Sequence, residues 1–215
     1  MKRKDAFSLT EILILIFAIV FIALIVLPMK VIDINQAERI ATWKSIYSEL
    51  DYSYKVMLQK DANLVNLYKN RGNFSGELFF DNFLKYCNVD KKKMLAANFK
   101  NYKHSFLNGK SIKKVSNYHA DKFVLLKNGT LLAFSGNTSA DTKNDEPIGI
   151  LYADINGVNS KNIIGKDVFI MVMYPDRLEP MGANSSLQDL KEDCSPVGSG
   201  LKCSAYYLTG RRILD

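Results

Sequence analysis

Residues 7–28 read FSLTEILILIFAIVFIALIVLP, and this stretch decides how the rest of the chain is interpreted. No polar side chain occurs between Ile12 and Leu27. As an α-helix the stretch would be about 33 Å long, which is close to the hydrocarbon thickness of a bilayer. Three basic residues occupy positions 2–4. The sequence therefore predicts one membrane-spanning helix whose N-terminus stays cytoplasmic.

The residues that follow the apolar run exclude two common kinds of export signal. A cleaved secretory signal needs a small-x-small site after the apolar run, and none follows Pro28. A lipoprotein signal needs a cysteine there, but the first cysteine is Cys87. A plain signal anchor remains, although Glu11 lies directly before the apolar block. A carboxylate within a membrane helix costs roughly 2–4 kcal/mol and needs a partner, unless it stays hydrated at the interface.

A family resemblance follows from these residues. Ala6, the string F-S-L-T-E at 7–11 and the apolar run ending in Pro28 resemble the processing signal of type IV prepilins and type II secretion pseudopilins. The resemblance implies that a prepilin peptidase cuts between Ala6 and Phe7 and methylates the new amine of Phe7. Glu11 and Pro28 match the family's glutamate and its helix-bending proline. The family usually has glycine where this chain has Ala6.

The resemblance also implies a function, a set of partners and a location. The function is that of a structural subunit that polymerises through its N-terminal helix. An ion pair between the Phe7 amine of one subunit and Glu11 of its neighbour would set the axial stagger. The partners are the prepilin peptidase, other pilin or pseudopilin subunits in a homo- or hetero-polymer, and the inner membrane. The location is the bacterial inner membrane, single-pass, with a periplasmic or extracellular head, and later a pilus or pseudopilus.

The predicted fold class is α+β and pilin-like. It comprises a leader (1–6), a transmembrane and assembly helix (7–28), an amphipathic continuation of that helix (29–70) and a globular head (71–215). The continuation carries a stripe of apolar residues at helical spacing, with charged residues on the opposite face. The stripe consists of Ile40, Trp43, Tyr47, Leu50, Tyr54 and Met57. We expect it to pack on the sheet of the head.

The head has the sequence pattern of an antiparallel sheet. Two apolar runs, 123–127 and 130–134, flank Asn128-Gly129, which predicts a hairpin with a type I′ turn. Residues 148–155 and 168–174 are further predicted strands. Several antiparallel strands on one helix form an α+β head.

Three cysteines occur in the chain. Cys194 and Cys203 are close in sequence, which suggests an oxidising compartment in a chain with an export signal. Two free thiols or half of a metal site are the alternatives. The resemblance to the C-terminal loop of many pilins favours a disulfide, worth ~2–3 kcal/mol on the chain-entropy model. Cys87 is expected to be a buried thiol.

Oxygen ligands alternate around a glycine turn in the second half of the chain. They are Asp154, Asn156 and Asn159, with Asp167 following Gly165. Such spacing suits calcium, and some major pseudopilins bind calcium in the head. A connection whose Asx side chains cap their own backbone is the favoured interpretation. The predicted cofactor set is therefore none, with calcium as the alternative.

Between residues 85 and 127 there are eleven lysines and two aspartates. Lys91, Lys92, Lys93, Lys113 and Lys114 form the densest part of this stretch. A solvated basic surface is the favoured interpretation. A pilin-like subunit that binds DNA or surface polymers through these lysines is the alternative.

Catalysis has little support in the sequence. No nucleophile-elbow, zinc-helix or phosphate-loop motif occurs, and the two histidines lie among lysines. We therefore predict a structural protein and not an enzyme. A signal-anchored exported domain that does not polymerise is the remaining alternative.

Overall fold

The computed structural model describes residues 8–61, 76–90, 104–110, 122–136, 147–157 and 162–209. The chain divides into two compact units. We call them the N-terminal unit, which ends at Glu38, and the C-terminal unit, which begins at Arg39.

Helix α1 spans Leu9–Lys60, a length of 52 residues. It begins after Ser8, whose carbonyl accepts the first helical hydrogen bond, from the Ile12 N–H at 3.2 Å. The backbone stays helical across Pro28. The sequence predicts a continuation to residue 70, whereas the helix ends at Lys60 and residues 62–70 lie outside the described part.

The structure corrects the predicted fold class and location. Among the described residues, no helix is both long enough and apolar enough to cross a membrane. On this finding the pilin-like class with a transmembrane first half is wrong, and so is the single-pass inner-membrane location.

The C-terminal unit is α+β, with a five-stranded antiparallel sheet in the order β2-β3-β4-β6-β7. A separate parallel pair joins β1 and β5. The strands are β1 (His104–Ser105), β2 (Lys122–Leu125), β3 (Leu131–Gly136), β4 (Gly149–Asp154), β5 (Asn162–Ile163), β6 (Val168–Met173) and β7 (Leu178–Pro180). Strands β4 and β6 coincide with the predicted runs at 148–155 and 168–174.

The predicted β2–β3 hairpin is present, but its turn differs from the predicted type. Leu126 and Thr130 close a three-residue loop, since the Leu126 N–H donates to the Thr130 carbonyl at 2.9 Å and the Gly129 N–H donates to the Leu126 carbonyl at 3.0 Å. Gly129 has a φ of 91°, and no described residue other than glycine has a positive φ. A type I′ turn needs positive φ at Asn128 as well, so the turn is a three-residue loop with glycine in the last position.

The predicted stripe of α1 is buried in the main core. Trp43, Tyr54 and Met57 have no exposed surface, Leu50 and Ile40 are also buried, and Tyr47 is partly buried. Trp43 stacks on Phe169 of β6 at 4.6 Å between ring centroids. This face of the sheet therefore packs on the second half of α1 through apolar contacts.

Three further helices complete the described part of the C-terminal unit. They are α2 (Gly76–Leu84), α3 (Leu187–Asp193) and α4 (Cys203–Leu208). Helix α2 contributes Phe80, which stacks on Phe134 of β3 at 4.6 Å. The opposite sheet face has a smaller buried cluster that includes Tyr152 and Ile170. Both faces of the sheet are thus covered, as a domain core requires.

Candidate assembly surface

The first turn of α1 is closed by a reciprocal pair of side chains. The Ser8 N–H donates to Glu11 Oε2 at 2.8 Å, and the Ser8 hydroxyl donates to the same oxygen at 2.9 Å. The Glu11 N–H contacts Ser8 Oγ at 3.3 Å. This is the capping box, which satisfies two of the N–H groups that a helix start leaves open. The hydrogen bond from the Ser8 N–H and, to a smaller extent, the bond from the Ser8 hydroxyl lower the pKa of Glu11.

The sequence interpretation misses this role of Glu11. The spacing S-x-x-E before an apolar run is the signature of a capping box, and Ser8-Leu9-Thr10-Glu11 has it. The family resemblance gives Glu11 only a partner in another subunit. Because both Ser8 bonds end on Oε2, and no hydrogen bond within the described part of the chain ends on Oε1, the second oxygen can accept another donor.

The first part of α1 is an exposed apolar helix, which we call the apolar segment (Leu9–Leu24); its two polar residues, Thr10 and Glu11, lie in the capped first turn. Twelve of its large apolar side chains are between 47% and 83% exposed. They are Leu9, Ile12, Leu13, Ile14, Leu15, Ile16, Phe17, Ile19, Val20, Phe21, Ile22 and Leu24. Consecutive residues point in all directions around a helix, so every face of the segment is apolar.

An apolar surface of this extent marks an interaction site. Single exposed apolar residues are ordinary on a protein surface, but contiguous patches are rare. A helix that is apolar on all faces normally lies in an apolar environment. The apolar segment is therefore the strongest candidate functional surface in the described part of the chain.

Two predicted processing residues, Ala6 and Phe7, lie outside the described residues. Pro28 lies within the helical backbone of α1. Cleavage before Phe7 would leave Ser8 and Glu11 in the mature chain. The capping box is therefore compatible with the predicted cut, because its two hydrogen-bonding residues both follow the cut site.

The predicted calcium ligands are partly brought together at the β4–β6 end of the sheet. Asp154 Oδ1 accepts from the Asn156 N–H at 3.0 Å, which is the geometry of an Asx turn. The Asn156 side chain also donates to the Asp167 carboxylate. Burial raises the pKa of Asp167, although the Arg39 charge and the Asn156 bond act in the opposite direction. Within the described ranges no group of three or more His, Cys, Asp or Glu residues is placed to hold a metal. Asn159 lies outside these ranges, so the calcium site stays a prediction.

Cys194 and Cys203 form the predicted disulfide, with their Cα atoms 4.9 Å apart. Both cysteines are buried. The Asp193 carboxylate organises the enclosed loop, because it accepts from the Lys202 N–H at 2.7 Å and from the N–H and hydroxyl of Ser199. The loop also pairs with another segment, since the Leu107 N–H donates to the Ser199 carbonyl at 3.0 Å. This cross-link therefore holds a structural loop of the C-terminal unit.

Cys87 is a half-buried free thiol that follows α2. Its Sγ lies 3.5 Å from the Phe83 carbonyl, to which it donates. Burial, together with the charge of Glu49, raises the pKa of Cys87 to about 12. Such a thiol is almost entirely protonated at neutral pH, so the site has the character of a packed side chain and not of a nucleophile.

We expect Cys87 to be alkylated slowly in the folded chain. A rise in pKa from 9.0 to about 12 lowers the thiolate fraction at neutral pH by about 1,000-fold, and the thiolate is the reacting species. The rate of reaction with iodoacetamide, followed by intact mass, should keep rising about tenfold per pH unit through pH 9.0. The urea-unfolded chain is the control and should level off near the ordinary thiol pKa. A folded chain that levels off at the same pH would contradict this result.

The predicted polyanion-binding lysines, Lys91, Lys92, Lys93, Lys113 and Lys114, all lie outside the described residues. Their role stays a prediction.

His104 is described; burial lowers its pKa, and its ring lies 6.0 Å from that of Tyr152 in a T-shaped contact. This environment is that of a packed histidine on the second face of the sheet.

Comparisons with protein-family models, with characterised proteins and with solved structures gave no match. The resemblance to prepilins therefore rests only on the residues quoted for it.

Proposed function

We propose that this protein is a structural subunit that polymerises through its N-terminal helix, in the manner of a type IV pilin or a type II secretion pseudopilin. The observation that carries the proposal is the apolar segment, with twelve large apolar side chains 47–83% exposed. In the proposed filament, the apolar segments of neighbouring subunits pack on this segment and cover it. A filament core built from such helices would surround each one on all sides, which matches a helix without a polar face.

The size of the surface is sufficient for assembly. Full burial of a Leu, Ile or Phe side chain contributes about 1.5–3 kcal/mol. Allowing for the part of each side chain that is already covered, twelve of them supply roughly 10–20 kcal/mol. The loss of translational and rotational freedom on association costs roughly 4–15 kcal/mol. Apolar contact alone therefore favours association, but it does not select one axial register.

Register is the task that we propose for Glu11. After cleavage between Ala6 and Phe7, the Phe7 amine of one copy would meet the Glu11 carboxylate of the next. Two different surfaces meet in such a contact, and a heterologous contact that does not close extends into a helical filament. A buried ion pair is best supported as a device that specifies register. Within its own chain Glu11 uses Oε2 for the cap, so Oε1 would serve the neighbouring amine.

The prepilin peptidase and the other subunits of the filament are the proposed partners. The sequence signal around Ala6 and Phe7 supports the peptidase, and the apolar segment supports the subunits. Intact-mass analysis of the native protein is the direct test of processing. The proposal expects loss of residues 1–6 and addition of one methyl group, and a native chain that retains its basic leader would overturn it.

We expect Glu11→Gln to reduce assembly at least about tenfold and Ser8→Ala to reduce it less than about threefold. Glutamine can still accept the Ser8 bonds, so Glu11→Gln keeps the capping box and removes only the charge. A hydrogen bond to a charged group contributes about 1.5–3 kcal/mol, which corresponds to a factor of about ten or more. Ser8→Ala removes part of the cap and keeps the carboxylate. Filaments are collected by ultracentrifugation and compared with total subunit by immunoblot.

These two variants separate the capping role of Glu11 from its proposed role in register. If Ser8→Ala abolishes filaments and Glu11→Gln leaves them unchanged, the carboxylate acts only within its own helix. Normal filament yield from Glu11→Leu, which loses both the charge and the cap, would refute any role of this residue in assembly.

A further inference from the structure

Three Asn-Gly pairs occur in turns of the C-terminal unit: Asn108-Gly109, Asn128-Gly129 and Asn156-Gly157. Their glycines all have positive φ, at 78°, 91° and 69°. The first two pairs share one hairpin geometry, since Phe106 and Lys110 close the first loop as Leu126 and Thr130 close the second. Asn-Gly pairs are chemically labile, because glycine leaves its nitrogen free to reach the asparagine side chain.

The reaction at such a pair is deamidation. The glycine nitrogen loses its proton to water and attacks Cγ of the asparagine. The bond from Cγ to Nδ2 then breaks, Nδ2 gains a proton, and ammonia leaves a cyclic imide behind. Water opens this imide at one of its two carbonyls and gives an aspartyl or an isoaspartyl residue. No oxidant, metal or enzyme is needed.

The surroundings of Asn128 favour this reaction. Its Oδ1 accepts from the Thr130 N–H at 3.0 Å, and this donor stabilises the negative charge that develops on Oδ1 during attack. Asn128 and Gly129 are both exposed, and a Cβ placed on Gly129 would meet no atom within 4 Å in the described part of the chain. The attack must first break the hydrogen bond from the Gly129 N–H to the Leu126 carbonyl, which lies in an exposed turn.

The surroundings of Asn156 oppose the reaction. Gly157 is buried, and the position of a Cβ on it lies 2.8 Å from the Gly129 carbonyl oxygen. The Asn156 side chain is held by the Asp167 carboxylate, and its own N–H is held by Asp154 Oδ1. Ring closure at Asn156 would therefore have to break a packed network, whereas ring closure at Asn128 would not.

The product at position 128 would also face a carboxylate. Asn128 Nδ2 donates to Glu49 Oε2 of helix α1, at 3.4 Å. We propose that Asn128 is a deamidation site, and that its acidic product repels Glu49 and loosens the β2–β3 hairpin from α1. At Asn108 the corresponding amide faces the Val197 carbonyl at 3.4 Å, so the product there meets no carboxylate of this kind. The inference is independent of assembly.

Peptide mapping of the full chain, aged folded at mildly alkaline pH, tests the first part. We expect the amide-to-acid mass gain at Asn128 to form roughly tenfold faster than at Asn156. A sample aged in urea is the control, and there the two rates should become similar because the turns are lost. Equal rates in the folded chain, or faster conversion at Asn156, would overturn the assignment.

A double-mutant cycle tests the consequence. Asn128→Asp should lower the folding equilibrium constant about twofold relative to Asn128→Ser, which is the usual size of a like-charge contact. In a Glu49→Gln background the two variants should be equal, because the repelling charge is gone. Urea unfolding followed by tryptophan fluorescence gives the constants. An unchanged difference between the two variants after Glu49→Gln would exclude Glu49 as the cause.

Discussion

Replacing both Phe17 and Phe21 by lysine should abolish assembly and leave the C-terminal unit folded. The two rings lie one turn apart on the same face of the apolar segment and are 75% and 59% exposed. Losing the burial of their exposed parts removes about 2–4 kcal/mol, which corresponds to a factor of about 30 or more. Two ammonium groups among packed apolar helices add a desolvation cost. Sedimentation and electron microscopy measure the assembled fraction.

The single tryptophan of the chain provides the folding check for this variant. Trp43 is buried in the C-terminal unit, so its emission reports whether that unit stays folded. The matched control places two lysines elsewhere, as Tyr52→Lys with Val197→Lys, at side chains 70% and 84% exposed. This control adds the same charge without touching the apolar segment. If it lowers assembly as much as the Phe17 and Phe21 changes do, added charge is the cause and the proposed interface is wrong.

The part of the fold that could be predicted from the sequence has strong periodicity. The α1 stripe recurs at helical spacing, and the structure buries it and adds Ile46 at 3% exposure. Strands β4 and β6 are short unbroken apolar runs, so their length and their β-branched and aromatic content indicate strands where no period does. The spacing of apolar residues shows which side of a helix or strand is buried, so it identifies that element before the element it packs on is known.

The turn between β2 and β3 could not be predicted from Asn-Gly alone. An Asn-Gly pair fits a two-residue loop as well as a three-residue loop, and the register of the strands decides between the two lengths. With a three-residue loop, Val124 pairs with Leu132 and both face the main core. A two-residue loop would shift the pairing by one residue and place Ala133 opposite Val124, although Ala133 packs in the cluster on the other face. Burial on both faces of the sheet therefore selects the longer loop.

The cap at Ser8 could be predicted from the sequence, because the spacing S-x-x-E is a local pattern. The apolar run beside Glu11 instead leads to the prediction of a partner in another subunit. The two-residue strands β1 and β5 are a different case, because two residues carry no period and their pairing depends on chain segments far apart in sequence. The pairing of the disulfide loop with Leu107 has the same origin. Such contacts arise from tertiary packing and leave no local signal.

Trp43→Ala should cost the C-terminal unit about 3–5 kcal/mol of unfolding free energy. The indole has no exposed surface, stacks on Phe169 at 4.6 Å, and donates from Nε1 to the Ser204 carbonyl at 3.0 Å. Domains of this kind have about 5–15 kcal/mol in total, so the variant would be close to unfolding at room temperature. Urea unfolding followed by circular dichroism is the measurement, because the variant lacks its fluorophore.

Two further substitutions show which part of the indole matters. Trp43→Phe keeps an aromatic ring against Phe169 but removes the indole donor to the Ser204 carbonyl, so it should lose about 1–3 kcal/mol. Tyr52→Ala removes an aromatic ring from an outward position of the same helix, 70% exposed, and should change stability by less than about 0.5 kcal/mol. Losses that decrease in the order Trp43→Ala, Trp43→Phe, Tyr52→Ala follow only if the stripe of α1 is the core of the C-terminal unit. Equal losses from Trp43→Ala and Tyr52→Ala would mean that this half of the helix is held by something other than its packing on β6 and α4.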